Sequence, residues 1–347
     1  MITFLTHWTK KKIVITAAVV ALIAGVAICT ANFLGDGGGT SEIELPGAGE
    51  TNVSYEKPEG SVADYTSDPK KNLYVANGVL KAAGSFKSYS EGLTVTKSVI
   101  DVKQEIKATR IVKGKDVFKQ SASFGLVKIG DQRVAIGENY MYRTAKKLNS
   151  VDDIVWNETK PNILGKDSYV DRYGCRGNDL TAYVLNDDTI LDCSFDGYDE
   201  KNGLYRFSFD LDLVKATPQI LCEMRTNAGT KKFPTFTKAK ISVTMDKDWF
   251  IRTFETDCEY EVPLMGGQKC EEKMVETFSE IGKIESIKNC PAYDFFAPYI
   301  TDSQAPTPPT QDDTNDDEAP DSISLLASMF GKYIAGEPLN ANVALNV

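Results

Sequence analysis

Hydrophobic and polar residues alternate along much of this 347-residue chain, as is typical of β-strands with one buried face. The clearest example is the stretch 204–213. Its apolar positions are Tyr205, Phe207, Phe209, Leu211 and Leu213. The side chains between them are mostly polar, so the stretch predicts a strand with one strongly apolar face and one solvated face.

Similar alternation recurs on both sides of this stretch. It predicts strands over 94–112, 117–129, 133–142, 238–245 and 249–262. Gly130-Asp131 predicts a turn between the second and third of these strands, because both residue types favour turns. Asp246-Lys247-Asp248 predicts the turn of a hairpin between the last two.

Helical periodicity is found in few places. Leu73, Val79 and Leu80 predict a helix that follows Pro69. The irregular stretch 146–202 predicts a long excursion that contains a short helix over 179–185. The fold class is therefore α+β and predominantly β, with an antiparallel sheet and a few covering helices.

The N-terminus has the pattern of a membrane anchor. Lys10, Lys11 and Lys12 precede the apolar run 13–34, which is long enough to cross a bilayer. The positive-inside rule keeps residues 1–12 in the cytoplasm and places the rest of the chain outside it, as a single-pass protein of the cell membrane. A cleaved signal peptide has a similar opening, and either interpretation exports the body.

Composition divides the exported part into four segments. Residues 35–69 are acidic and rich in glycine, as expected of a flexible linker. Residues 70–300 contain 34 basic and 33 acidic residues, a balance that does not favour nucleic-acid binding. Residues 301–321 predict a disordered acidic, proline-rich tether. Residues 322–347 predict a short amphipathic helix and tail that either contacts an envelope protein, docks on the body or stays disordered.

Six cysteines follow the membrane segment, and an even number in an exported chain favours disulfides. They are Cys175, Cys193, Cys222, Cys258, Cys270 and Cys290. Folding the last hairpin symmetrically about Gly266-Gly267 places Cys258 opposite Cys270, which predicts a disulfide between them. Buried thiols are the alternative. A zinc site fits less well, because the cysteines lack close spacing and the exported part has no histidine.

No catalytic site is predicted. The one histidine, His7, precedes the membrane segment, so the body has no histidine for nucleophilic or metal-assisted catalysis. Paired carboxylates remain possible on composition, with Asp210 and Asp212 better explained as residues on a solvated strand face. The stretch 192–197 begins like a calcium loop, yet Gly203 stands where the closing glutamate belongs. We therefore expect a non-enzymatic protein without cofactor or metal.

The order of these elements resembles a known family. A leading helix, a ladder of amphipathic strands, an irregular insertion and the return hairpin around residues 241–248 are similar to the lipoprotein-carrier fold of the LolA and mycobacterial LppX type, over roughly residues 70–281. The resemblance implies a strongly curved sheet, a half-barrel, that holds acyl chains under its helices. On this basis the candidate contacts for a lipid or other hydrophobic ligand are Tyr205, Phe207, Phe209 and Leu211. The alternative is an envelope interaction or structural module with a closed core.

Overall fold

Twelve strands form one antiparallel sheet in the described part of this computed structural model. The described residues are 59–96, 101–111, 116–125, 128–136, 139–158, 160–165, 185, 188–217, 220–221, 234–262 and 268–300. The predicted membrane segment, both segments beyond residue 300, the Gly266-Gly267 turn and most of the helix predicted over 179–185 lie outside them. None of the helices in the described ranges is long and apolar enough to cross a bilayer.

The strands follow one another as antiparallel neighbours in two runs. They are β1 (Ser85–Thr96), β2 (Asp101–Ile111), β3 (Asp116–Phe124), β4 (Lys128–Ile136), β5 (Asn139–Ser150), β6 (Asp153–Trp156), β7 (Asn162–Gly165), β8 (Ile190–Asp199), β9 (Leu204–Leu211), β10 (Thr235–Met245), β11 (Ile251–Val262) and β12 (Gln268–Ser279). The spatial order is β6-β5-β4-β3-β2-β1-β12-β11-β10-β9-β8, and β7 also pairs with β5. The pairing of β1 with β12 joins the two runs into a curved open sheet, which confirms the predicted fold class.

One helix covers the inner face, the name we give to the sheet face that it contacts. Helix α1 (Pro69–Ala82) confirms the helix predicted after Pro69. Leu73, Ala76 and Leu80 of α1 belong to the main hydrophobic cluster, together with inner-face residues of β8–β12. Val62, in the 3-10 turn Val62–Tyr65, is fully buried in the same cluster, so packing begins within the stretch predicted as a linker.

The C-terminal strap, residues 284–300, covers part of the opposite, outer face. It consists of the 3-10 turn Ile287–Asn289, the short helix α2 (Tyr293–Phe296) and the 3-10 turn Ala297–Tyr299. Ile287 and Phe296 pack against apolar outer-face side chains of β3, β4 and β5. The two halves of the sheet are therefore covered on opposite faces.

The predicted turn at Gly130-Asp131 is wrong, because both residues lie inside β4. A Cβ atom at Gly130 would lie 3.2 Å from the Cβ of Ala145 and 3.3 Å from the carbonyl oxygen of Ser121. This glycine therefore permits close approach of neighbouring chain segments within a sheet. The stretch 146–202 is also more regular than predicted, since it contains the end of β5 and the whole of β6, β7 and β8.

Candidate functional site

The predicted ligand-contact residues lie on the inner face of β9, where they form part of the filled core. Phe207, Phe209 and Leu211 have exposed fractions of 0%, 1% and 4%, and Tyr205 is half-buried. Val243 stands opposite Phe207 on β10, in the same cluster as α1. The structure thus brings the four predicted residues onto one face, and α1 covers the cluster to which they contribute.

Aromatic contacts continue this packing toward β8 at the edge of the sheet. The ring of Phe195 lies 5.3 Å from that of Phe207, and the ring of Tyr198 lies 4.6 Å from that of Tyr205. Tyr198 is 49% exposed. The aromatic row therefore passes from a closed interior at Phe207 to a solvent-accessible edge at Tyr198.

The inner face of the other half of the sheet is largely polar. The inner face continues from β12 onto β1–β5. The strand registers show which residues point to it, and these are every second residue of each strand. Its polar side chains include Ser88, Ser90, Thr94, Gln104, Ser121, Ser123, Asp131, Arg133, Tyr142 and Thr144. Most of them are buried. Sequence reasoning missed this surface, although the alternation of Ser88, Ser90, Thr94 and Thr96 could have indicated a strand with a polar buried face.

An ionic cluster lies on this polar half. Arg133 donates from Nε to the carboxylate of Asp131, which is 1% exposed, and the hydroxyl of Ser121 donates to the same carboxylate. The registers place Asp131 opposite Ser121 and Arg133 opposite Lys119. A buried carboxylate is stable in such a place because a cation and a hydrogen-bond donor both compensate for the lost water.

A second carboxylate, that of Glu272 on β12, receives hydrogen bonds from both neighbouring strands. Tyr260 and Thr94 each donate a hydroxyl to it at 3.2 Å. Burial, and then the charge of Glu272, raise the pKa of Tyr260 well above its usual range. The phenol therefore stays protonated at neutral pH and acts as a hydrogen-bond donor.

The register of β11 and β12 corrects the predicted cysteine pairing by two residues. Cys258 stands opposite Glu272, and Cys270 stands opposite Tyr260. The two cysteines are diagonal neighbours, which lie about 7–8 Å apart between Cα atoms, beyond the range that a disulfide spans without backbone movement. Both side chains are thiols in the structure.

The thiols of Cys270 and Cys193 are packed side chains whose pKa values are raised by burial. Burial raises the pKa of Cys270 to about 12 and that of Cys193 to about 11, with nearby carboxylates adding to both shifts. Because the thiolate is the nucleophilic form, a thiol with so high a pKa reacts slowly at neutral pH. Neither cysteine therefore has the electrostatic environment of a nucleophile.

The acidic residues near β8 and β9 support turns. Asp199 accepts hydrogen bonds from the backbone of Lys201 and from Asn202, and Asp212 accepts from the backbone of Val214 and Lys215. These hydrogen bonds lower the pKa of both carboxylates. In the part of the chain that the structure describes, no three histidine, cysteine or acidic residues form a group that could hold a metal ion.

Comparison with known proteins gives weak similarity at the level of the fold. No protein-family model and no curated protein sequence matches the chain. Among solved structures, the chain is similar to the crystal structure of a LolA superfamily protein from Nitrosomonas europaea, at 11% sequence identity and a TM-score of 0.18. The similarity covers 59% of this chain and 91% of the other. A TM-score this low adds nothing to the argument about function.

Proposed function

We propose that this chain is a membrane-tethered extracytoplasmic protein that acts by binding a partner through its surface and is not an enzyme. The lysines before the apolar run 13–34 support the anchor and its orientation. The lack of any histidine after His7 supports a role without nucleophilic catalysis. In this proposal the partner is an envelope protein, contacted through the amphipathic segment 322–347.

The burial of Phe207 and Phe209 is the observation that favours surface interaction over lipid carriage. A hydrophobic ligand at these two rings would have to displace α1, because Leu73 and Leu80 belong to the same closed cluster. Removing a large core side chain from its contacts typically costs about 2–5 kcal/mol. Displacing several such contacts at once would offset much of the gain from burying an acyl chain.

The polar half of the inner face is also a poor surface for an acyl chain. Each methylene that leaves water contributes about 0.8 kcal/mol. Ser88, Ser90 and Ser121 are already buried and the Ser121 hydroxyl already donates to Asp131, so this surface offers an acyl chain little exposed apolar area to cover.

Carriage of a lipid or other hydrophobic ligand is the second candidate, and the curved antiparallel sheet is the observation that supports it. A sheet of this shape has to cover its inner face with its own helices or with something bound. Helix α1 accounts for the covering of the half formed by β8–β12. The second candidate would therefore require a ligand beside β1–β5.

Native mass spectrometry and lipid uptake distinguish the two candidates. The chain should be prepared from residue 35 onward, so that the membrane segment is absent and the buried Val62 is retained. We expect a mass without stoichiometric lipid and no saturable uptake of a fluorescent fatty acid. Saturable uptake would support carriage, and its response to Phe207→Leu or to Ser90→Leu would show which half of the inner face holds the ligand.

A further inference from the structure

The strap seals an apolar patch on the outer face of the sheet. Phe118, Val134 and Met141 have exposed fractions of 6%, 1% and 0%, and they pack against Ile287 and Phe296 of the strap. Without the strap these three side chains would face solvent. The cover is therefore energetically important, although it contains only single turns of helix.

Side chains hold the strap to the sheet, whereas its backbone hydrogen bonds are local. Among the described residues, the backbone bonds of the strap link residues three or four apart, such as the N–H of Cys290 to the carbonyl of Ile287 at 2.9 Å and the N–H of Ala297 to that of Tyr293. The start of the strap is fixed to β1 by the N–H of Ile284, which donates to the Ser85 hydroxyl at 3.0 Å. Beyond that point, opening would break none of the sheet's backbone ladder.

Arg143 on β5 is the most specific contact between the strap and the sheet. Its guanidinium carbon lies 4.0 Å from the centre of the Phe295 ring, 5.8 Å from that of Phe296 and 5.2 Å from that of Trp156. Its Nε donates to Gln132 Oε1 at 2.8 Å. Glu158, whose side chain is 81% exposed, lies 3.9 Å away. Burial lowers the pKa of this arginine, with Glu158 opposing the shift.

We propose that the strap opens as a unit while the sheet stays folded, and that Arg143 sets how often it opens. Segments that share no backbone ladder with the core open at a lower free energy than the core. Opening would uncover the patch of Phe118, Val134 and Met141. Because residues 301–347 follow the strap in the sequence, a partner bound to them would act on the strap before it acts on the sheet.

Two native cysteines distinguish opening of the strap from unfolding of the whole sheet. Cys290 lies half-buried in the strap, where it hydrogen-bonds to Thr109, and Cys258 lies fully buried among inner-face residues. The full-length chain in detergent would be kept reduced and pulsed with a small maleimide, and each cysteine would be quantified by peptide mass. For each cysteine, the labelling rate in the folded protein is divided by its rate in the urea-unfolded chain. We expect this ratio to be at least tenfold higher for Cys290 than for Cys258, since local opening is more frequent than global unfolding.

Variants on the two faces separate strap opening from global unfolding. Arg143→Ala removes the stacking and the hydrogen bond, which are absent both when the strap is open and when the chain is unfolded, so it should speed the labelling of Cys290 and of Cys258 by a similar factor of about ten. Arg143→Lys keeps the charge without the planar stack and should give an intermediate rate. Phe295→Leu tests the same contact if Arg143→Ala folds poorly. The matched control is Val243→Ala on the inner face, which should speed Cys258 more than Cys290.

Two results would overturn the proposal. If Cys290 and Cys258 share one opening free energy and shift together in every variant, the strap opens only when the whole sheet unfolds. If Cys290 is labelled quickly and its labelling rate does not change in Arg143→Ala or Phe295→Leu, its labelling requires no opening that this contact controls.

Discussion

The ring of Tyr65 lies 5.6 Å from that of Trp249, so the first described turn of the chain packs against the tip of the β10–β11 hairpin. Trp249 is fully buried, and its indole N–H donates to the carbonyl of Gly60 at 3.4 Å. Its φ of 73° lies in the left-handed region, which is unfavourable for a bulky residue. The carboxylate of Asp246 stabilises this turn by accepting the backbone N–H of Phe250 and pairing with Arg252.

Trp249→Ala should lower the free energy of unfolding by about 3–5 kcal/mol, because it leaves a large cavity at one end of the core. Trp249→Gly should be less destabilising than the alanine variant by up to about 1 kcal/mol, since glycine adopts a positive φ without strain. Urea unfolding followed by circular dichroism measures both. Val214→Ala, at a side chain that is 83% exposed, is the control and should change little. Equal stabilities for the alanine and glycine variants would show that strain at this position is negligible.

The buried thiol of Cys270 predicts a pH dependence of stability. Its pKa is raised from the ordinary value of 9.0 to about 12, so the folded state holds this proton more tightly than the unfolded state. The stabilisation of the folded state by the protonated Cys270 thiol is complete below pH 9 and is lost as the pH rises toward 12. Between pH 9 and 10.5, the stability of the parent protein relative to Cys270→Ala should fall by up to about 1.4 kcal/mol per pH unit.

Comparison with the alanine variant cancels the titration of surface lysines, which both proteins share, while the difference keeps the coupling between Cys270 and Tyr260, since Cys270 contributes to the raised pKa of Tyr260. Urea unfolding at pH 8, 9, 9.8 and 10.5 under reducing conditions gives the difference. A constant difference across this range would mean that the thiol is more accessible to water than its burial indicates.

Protease accessibility tests the proposed topology. In intact cells stripped of their wall, an added protease should remove the body and leave a membrane-protected fragment that contains residues 13–34. The orientation follows from Lys10, Lys11 and Lys12 on the cytoplasmic side. A cytoplasmic marker protein should remain intact in the same sample. A body that is protected until the membrane is dissolved would contradict the proposed orientation.

The sequence predicted the strand faces more reliably than the strand pairing. In the predicted strand 249–262, alternation puts Phe254, Cys258 and Tyr260 on one face, and the structure has them in one hydrophobic cluster, because the period of two is a local property. Shifting a strand by two residues leaves every side chain on the same face, so alternation could not exclude the observed register, in which Cys258 faces Glu272. Several registers that differ by two residues share these faces, and the assumption of a symmetrical hairpin selected the wrong one.

The site was less predictable than the fold because its features depend on tertiary placement. Nothing in the alternation around Phe207 and Phe209 distinguishes a row covered by a helix from one available to a ligand. The strap lacks both helical and strand periodicity, so its contacts with Arg143 left no pattern. Asp131 was interpreted as a turn residue because Gly-Asp favours turns, and its hydrogen-bond partner Ser121 lies on another strand, ten residues away, where local sequence could not indicate it.

The pair formed by Asp131 and Arg133 yields the last prediction, which concerns how the polar half of the inner face is stabilised. Arg133→Met removes the cation and leaves the carboxylate of Asp131, which is 1% exposed, with the Ser121 hydroxyl as its hydrogen-bond donor. An uncompensated buried charge typically costs about 3–5 kcal/mol. The double variant Asp131→Leu/Arg133→Met removes the charge as well, and should be more stable than Arg133→Met alone although it has one more substitution.

The control is the pair of Lys238 and Asp257 on the outer face, whose side chains are each 40% exposed at a distance of 2.9 Å. Lys238→Met should cost no more than about 1 kcal/mol, because solvent screens the charge that remains. Urea midpoints for the variants of both pairs provide the comparison. A double variant less stable than Arg133→Met would show that Asp131 contributes through contacts other than this ion pair. The polar half would then be stabilised by its hydrogen bonds even without the arginine.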